Sequence, residues 1–136
     1  MKNIPVELDD FAIGLYRLVE DIPQGVANQM AIVVPAAAKR ATKLAKKNAR
    51  GFGWKGKTGK AYIAGISNRV TRTGVITTAE VGNKRMPGLA HLLEKGHNTL
   101  AGRRIEGKPH LAPAWDDTKD VFFKDALEGV DKVLKG

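Results

Sequence analysis

The sequence predicts an α+β fold: a small antiparallel sheet of three to four strands, packed by a long N-terminal helix and a C-terminal amphipathic helix. Three observations predict it. Apolar residues recur at three- and four-residue steps over 24–49 and again over 113–134, the spacing that lines one face of a helix. Between them, two runs alternate with period two on either side of Thr73-Gly74, the pattern of an antiparallel hairpin. The chain has 136 residues and no cysteine, a length that fits one domain with its own core and needs no disulfide framework.

Taken in order, Leu8, Phe11, Leu15, Leu18 and Ile22 predict a short helix within residues 1–22, closed by Pro23 and Gly25. A longer helix follows from Gln24 to about Ala49, with Val26, Met30, Val33, Ala37, Ala41, Leu44 and Asn48 on one face. Pro35 falls inside it and predicts a kink or a break. Residues 51–60 hold Gly51, Gly53, Gly56 and Gly59, which predicts a mobile basic loop. Strands are expected over 62–70 and 75–81. Pro87 opens a short helix that buries Leu89, Leu92 and Leu93 and stops at Gly96. A loop-like stretch with a short strand at 104–106 leads into extended Pro109-His110-Leu111. The last helix runs from about Pro113 to Leu134, with Trp115, Phe122, Phe123, Ala126, Leu127, Val130, Val133 and Leu134 forming a broad apolar face.

The formal net charge is +9, and it is concentrated. Residues 39–60 carry Lys39, Arg40, Lys43, Lys46, Lys47, Arg50, Lys55, Lys57 and Lys60 and no acid, while the rest of the chain balances. A basic middle between mildly acidic ends points to an anionic partner or to copies of the chain pairing opposite charges. No stretch approaches eighteen apolar residues and the first ten lack a signal-peptide pattern, so no membrane partner is expected and the protein should stay where it is made.

Three motifs suggest chemistry, and each has a blander reading beside it. Residues 51–58 match the phosphate-loop string of Gly, four residues, Gly-Lys-Thr. That chemistry needs a strand before it and a helix after it, whereas a basic helix precedes it here and a strand is expected after it, so the nucleotide reading is rejected. His91, Glu94, His97 and His110 offer metal ligands, but His91 and His97 are six apart with Gly96 between them, unlike a helical zinc pair. Neither a metal nor another cofactor is assigned. The basic window with Phe52 and Trp54 suits phosphates and stacked bases, and nucleic-acid binding is kept as the alternative function. No catalytic constellation stands out.

The strongest signal is Pro87-Gly-Leu89-Ala-His91-Leu92-Leu93-Glu94-Lys95-Gly96-His97, followed by a stretch with Gly102, Arg103, Arg104 and Gly107 and then Pro109-His110-Leu111-Ala-Pro113-Ala114. It closely resembles a family of tailed-bacteriophage tail components that act at the head–tail junction as neck or tail-completion proteins. The resemblance spans about 39–120, is most specific over 87–114 and is weak over 1–38. It implies a structural virion protein made of one domain, 1–136, with no catalytic residues. It further implies a ring, six-fold by the family's pattern, at the head-proximal end of the tail. The implied partners are other copies of itself, a tail terminator or tail tube protein, a head-completion or connector protein, and DNA passing through the lumen. The implied location is the virion neck after assembly in the bacterial cytoplasm. Leu89, His91, Leu92, Glu94, Gly96, His97, Gly107, Pro109, His110, Pro113 and Ala114 would form a structural corner. Lys39, Arg40, Lys43, Lys46, Lys47, Arg50, Phe52, Trp54, Lys55 and Lys57 would form the assembly surface.

Overall fold

The computed structural model describes residues 12–14 and 23–135. In chain order the elements are β1 (Ala12–Gly14), α1 (Gln24–Gly51), α2 (Gly56–Gly65), β2 (Ile66–Thr73), β3 (Ile76–Asn83), α3 (Pro87–Lys95), β4 (Gly96–Asn98), β5 (Arg104–Glu106) and α4 (Leu111–Lys135). The fold is α+β. Strands β1, β3 and β2 form one antiparallel sheet in that order, and β4 with β5 forms a separate two-stranded ribbon.

Helix α1 is the shared layer of the molecule, since it packs on α4 and also on β2 and β3. Its sequence explains how it serves both. The buried positions are Ala27, Met30, Val34, Ala37, Ala38, Ala41, Ala45 and Ala49. Six of these eight are alanines, the best helix former and a side chain short enough to let neighbouring backbones approach. From Val34 onward these positions form the core cluster with Tyr62 of α2, Ile66 of β2, Ala79 and Val81 of β3, Ala90 of α3, and Leu111, Ala114, Trp115 and Phe122 of α4. The anticipated face holds at Met30, Ala37 and Ala41, and elsewhere its centre sits one residue further along.

Five expectations need correcting. Ala12–Gly14 is a strand paired with Glu80, Ala79 and Thr78 of β3, not part of a helix; the rest of the helix expected over 1–22 lies outside the described residues. Pro35 lies inside one continuous helix. It removes a single backbone donor without ending the helix, so of the kink or break expected there the break does not occur.

Residues 56–65 are helical, so the second half of the segment expected as a loop, 56–60, and the first four residues of the expected strand belong to α2; 52–55 form the turn between α1 and α2, and β2 starts at Ile66. The glycines there serve close approach: a Cβ on Gly59 would lie 2.9 Å from the Trp54 carbonyl carbon, and one on Gly65 would meet the Asn83 carboxamide. Leu92 is 42% exposed, and the buried residue of α3 is Ala90, with Leu89 and Leu93 packed beside it. Phe123, Leu127 and Leu134 are also exposed, so the apolar face of α4 is not all core.

The hairpin between β2 and β3 keeps full register from Ile66 opposite Asn83 to Thr73 opposite Ile76. Gly74, with φ 61°, takes the first position of its two-residue turn, where a left-handed backbone matches the twist of the strands.

Candidate functional site

Two sites emerge from the sequence residues: a buried corner around His110 and a basic surface around Trp54. They share one wall.

The corner begins with the end of α4. A helix N-terminus leaves backbone donors without partners, and here a side chain from another helix receives them. Glu94, from the last turn of α3, does it at a distance. Its Oε1 accepts the N–H of His110 and of Leu111, each at 2.9 Å, and its Oε2 accepts that of Ala112 at 3.0 Å. A carboxylate there also meets the positive end of the helix dipole.

His110 itself is fully buried. Its Nδ1 lies 3.0 Å from the Lys108 carbonyl oxygen and 3.1 Å from Glu94 Oε1. Both neighbours are acceptors, so Nδ1 carries a hydrogen, and in the neutral ring Nε2 is left as an acceptor. The Tyr62 hydroxyl, 2.6 Å away, donates to it. Burial, and then the charge of Glu94, push the Tyr62 phenol well above its ordinary range, so it keeps the proton it donates. Asn48 Nδ2 donates to the His110 carbonyl at 3.2 Å. Asn83 ties in a further strand: its Nδ2 donates to the Tyr62 carbonyl at 2.6 Å, and its Oδ1 accepts from Arg85 and Met86. The network thus joins α1, α2, β3, α3 and α4 through satisfied polar groups.

Two glycines let the chain turn into this corner. Gly96, with φ 79°, ends α3 in a conformation that disfavours a side chain, and a Cβ there would strike the Ile105 carbonyl. A Cβ on Gly107 would lie 2.6 Å from the Glu94 carbonyl oxygen and 2.7 Å from the Lys95 carbonyl carbon. With both bare, β5 folds back over the end of α3. Lys108 N–H then donates to Leu93 O at 2.6 Å, and the Arg104 guanidinium to Lys95 O at 2.7 Å.

The other expected corner residues separate by role. Leu89 packs against the core and Ala114 is fully buried within it. Pro113 sits half-buried in the first turn of α4, where a missing N–H is tolerated, and Pro109 is exposed. His91 is exposed on the rim of a groove of about 510 Å³ between the β2–β3 sheet and α3. His97 does not join Glu94; its Nδ1 is buried without a hydrogen-bond partner. Among the described residues no group of three or more His, Cys, Asp or Glu could hold a metal ion, and no helix is long and apolar enough to cross a membrane.

The basic surface lies on the side of α1 opposite its alanines. Lys39, Arg40, Lys43, Lys47 and Arg50 are exposed, as are Lys55 and Lys57 beyond the helix. Lys46 is half-buried and converges with Arg50 and Lys60 on a shallow recess of about 410 Å³, which Trp54, Ile63 and Ala64 complete. Among the described residues no acidic one lines it. Trp54 meets Tyr62 and His110 edge-on, at 5.6 and 5.2 Å between ring centroids, and Phe52 stacks on Trp54 at 5.4 Å. The indole is the wall that the recess shares with the corner. A helix does follow the Gly-Lys-Thr of the phosphate-loop string, contrary to expectation, but α1 stands where that chemistry requires a strand.

Sequence reasoning missed two contributors. Tyr62 falls on an expected strand and Asn83 lies in no motif, yet both belong to the corner. Gly59 and Gly65 pack against Trp54 and Asn83 only in the folded chain, so neither residue carries a local signal for α2.

Compared with known proteins, residues 14–96 match the model of a family described as "Bacteriophage HK97-gp10, putative tail-component". The match starts well upstream of the expected resemblance and stops at Gly96, leaving the Pro109–Ala114 segment outside it. No curated protein and no solved structure matches significantly.

Proposed function

This chain belongs to the HK97-gp10-like family of bacteriophage tail components, and we propose that it is a ring-forming subunit completing the head-proximal end of the tail and joining it to the head connector. The family membership is the observation that carries this reading. A tail component is a structural protein, and the chemistry of the corner agrees with that role. Glu94, His110 and Tyr62 spend their hydrogen-bonding capacity on one another and on backbone, which fixes a shape and leaves no group poised for a substrate.

In this proposal the copies associate with one another and with neighbours on either side, a tail terminator or tail tube protein and a connector protein. The basic side of α1 serves as an assembly surface. The test is electron microscopy of purified tails lacking this protein, with and without the purified chain. Added density as a ring at one tail end is expected, and unchanged tail ends would overturn the reading.

The recess formed by Lys46, Arg50, Lys60 and Trp54 favours a second reading, contact with DNA. Affinity for DNA that falls steeply with salt would support it. Absence of binding at low salt would dispose of it.

A further inference from the structure

We propose that neighbouring copies of this chain join head to tail through the outer face of α1 on one copy and an apolar, acid-edged stripe of α4 on the next, a contact that rests on the ring reading above and specifies it.

The stripe on α4 consists of Phe123, Leu127 and Leu134, 54%, 71% and 73% exposed. Their spacing places them on one face of the helix, with Asp116 and Asp120 at its N-terminal end. The outer face of α1 has the opposite character. It begins with Ile32, 66% exposed, passes the exposed Ala36 and continues through Lys39 and Lys43.

One antiparallel register matches the two faces from Ile32 to Lys43, with Leu134 lying beyond the matched stretch. When Ala36 stands opposite Phe123, the large ring meets the smallest side chain of the α1 face. Ile32 then faces Leu127, Lys39 faces Asp120 and Lys43 faces Asp116, because the intervals along the two helices are equal. Apolar residues meet apolar ones at one end and opposite charges meet at the other. Asp116 already holds Lys119 at 3.5 Å; that exposed pair is weak and can be shared with an incoming lysine. Made once per pair, the contact is heterologous and leaves an α1 face free on one copy and an α4 face free on the other, as a ring or a longer array requires; a reciprocal pair would use both faces and stop at the dimer. The α1 face carries no acid from Lys39 to Arg50, which disfavours its pairing with a second α1 and selects the acidic edge of α4.

Mixing two charge-reversed variants of the full chain tests this. Lys39→Glu/Lys43→Glu and Asp116→Lys/Asp120→Lys should each weaken self-association by about tenfold or more. Mixed in equal amounts they should restore it, because alternating copies again pair unlike charges at every contact. Misfolding of either variant could not be repaired by mixing.

Because the native chain has no cysteine, Lys39→Cys/Asp120→Cys gives an independent readout. Under mild oxidation, assembled protein should yield a ladder of disulfide-linked multimers, while Lys39→Cys/Leu134→Cys should not. Native assembly that survives either reversal, or that gives no ladder, overturns the contact and leaves the ring reading standing. Protection of the stripe by tails without linkage between copies overturns it in favour of a tail partner. Failure of the native chain to assemble, alone or on tails, overturns both.

Discussion

Replacing Glu94 with glutamine isolates the carboxylate that starts α4. The amide oxygen can stand in for Oε1 and keep weaker bonds to the His110 and Leu111 N–H groups. The amide nitrogen must then stand where Oε2 accepts the Ala112 N–H at 3.0 Å, so two donors face each other. One charge-assisted bond is lost, at about 1.5–3 kcal/mol. The favourable meeting of charge and helix dipole goes with it, at about 0.5–1 kcal/mol. The expected loss is therefore about 2–4 kcal/mol, or a fall in Tm of about 7–14 °C for a chain of this size. Thermal unfolding followed by circular dichroism reads it directly. Asp117→Asn, which removes an exposed carboxylate from the same part of α4, is the control and should stay within about 0.5 kcal/mol. A Glu94→Gln shift of under about 2 °C would refute the capping argument.

Tyr62→Phe keeps the ring but leaves His110 Nε2 without its donor, and should cost about 1–3 kcal/mol in urea unfolding. Because the folded phenol is held above its ordinary value, its contribution is complete below about pH 10 and declines as pH rises beyond that. The native chain should thus lose stability more steeply in alkali than Tyr62→Phe does; parallel curves would count against this. Gly107→Ala drives a methyl into the backbone at the end of α3 and should lower Tm and solubility, whereas Gly102→Ala, with open space around it, should meet only the strain of its φ of 83°, about 1 kcal/mol. Pro35→Ala should raise stability, since it restores a helix donor in a continuous α1; a lower Tm would mean that the proline ring is itself an important packing element.

What could be read from the sequence follows from how local its causes are. Helices α1 and α4 and the β2–β3 hairpin declare themselves through periodicity, a property of neighbours along the chain. Gly96 and Pro87 likewise mark the ends of α3 by backbone rules alone. Helix α2 could not be read this way. Tyr62, Ala64 and Ile66 alternate like a strand, and the glycines looked like freedom, because their partners, Trp54 and Asn83, become neighbours only in the folded chain. The cap on α4 was hidden for the same reason. A search for a cap looks within a few residues of the helix start, and Glu94 lies sixteen to eighteen residues upstream of the groups it binds. The motif holds Glu94, His97 and His110 in one stretch, but nothing local says that the carboxylate meets His110 and not His97.

The polar bonds that hold His110 close loops of very different length: sixteen residues to Glu94, forty-eight to Tyr62 and sixty-two to Asn48. Lengthening a loop is cheap, at about 0.6 kcal/mol per doubling, so distance along the chain does not delay this corner. What the corner requires is simultaneity. The bonds on His110 are complete only when α1, α2 and α3 are all in place, and they seat the start of α4 while its length packs on α1. A subunit whose corner is open leaves the first turn of α4 unseated, and a surface built on that end of α4 takes its final shape only once the corner closes.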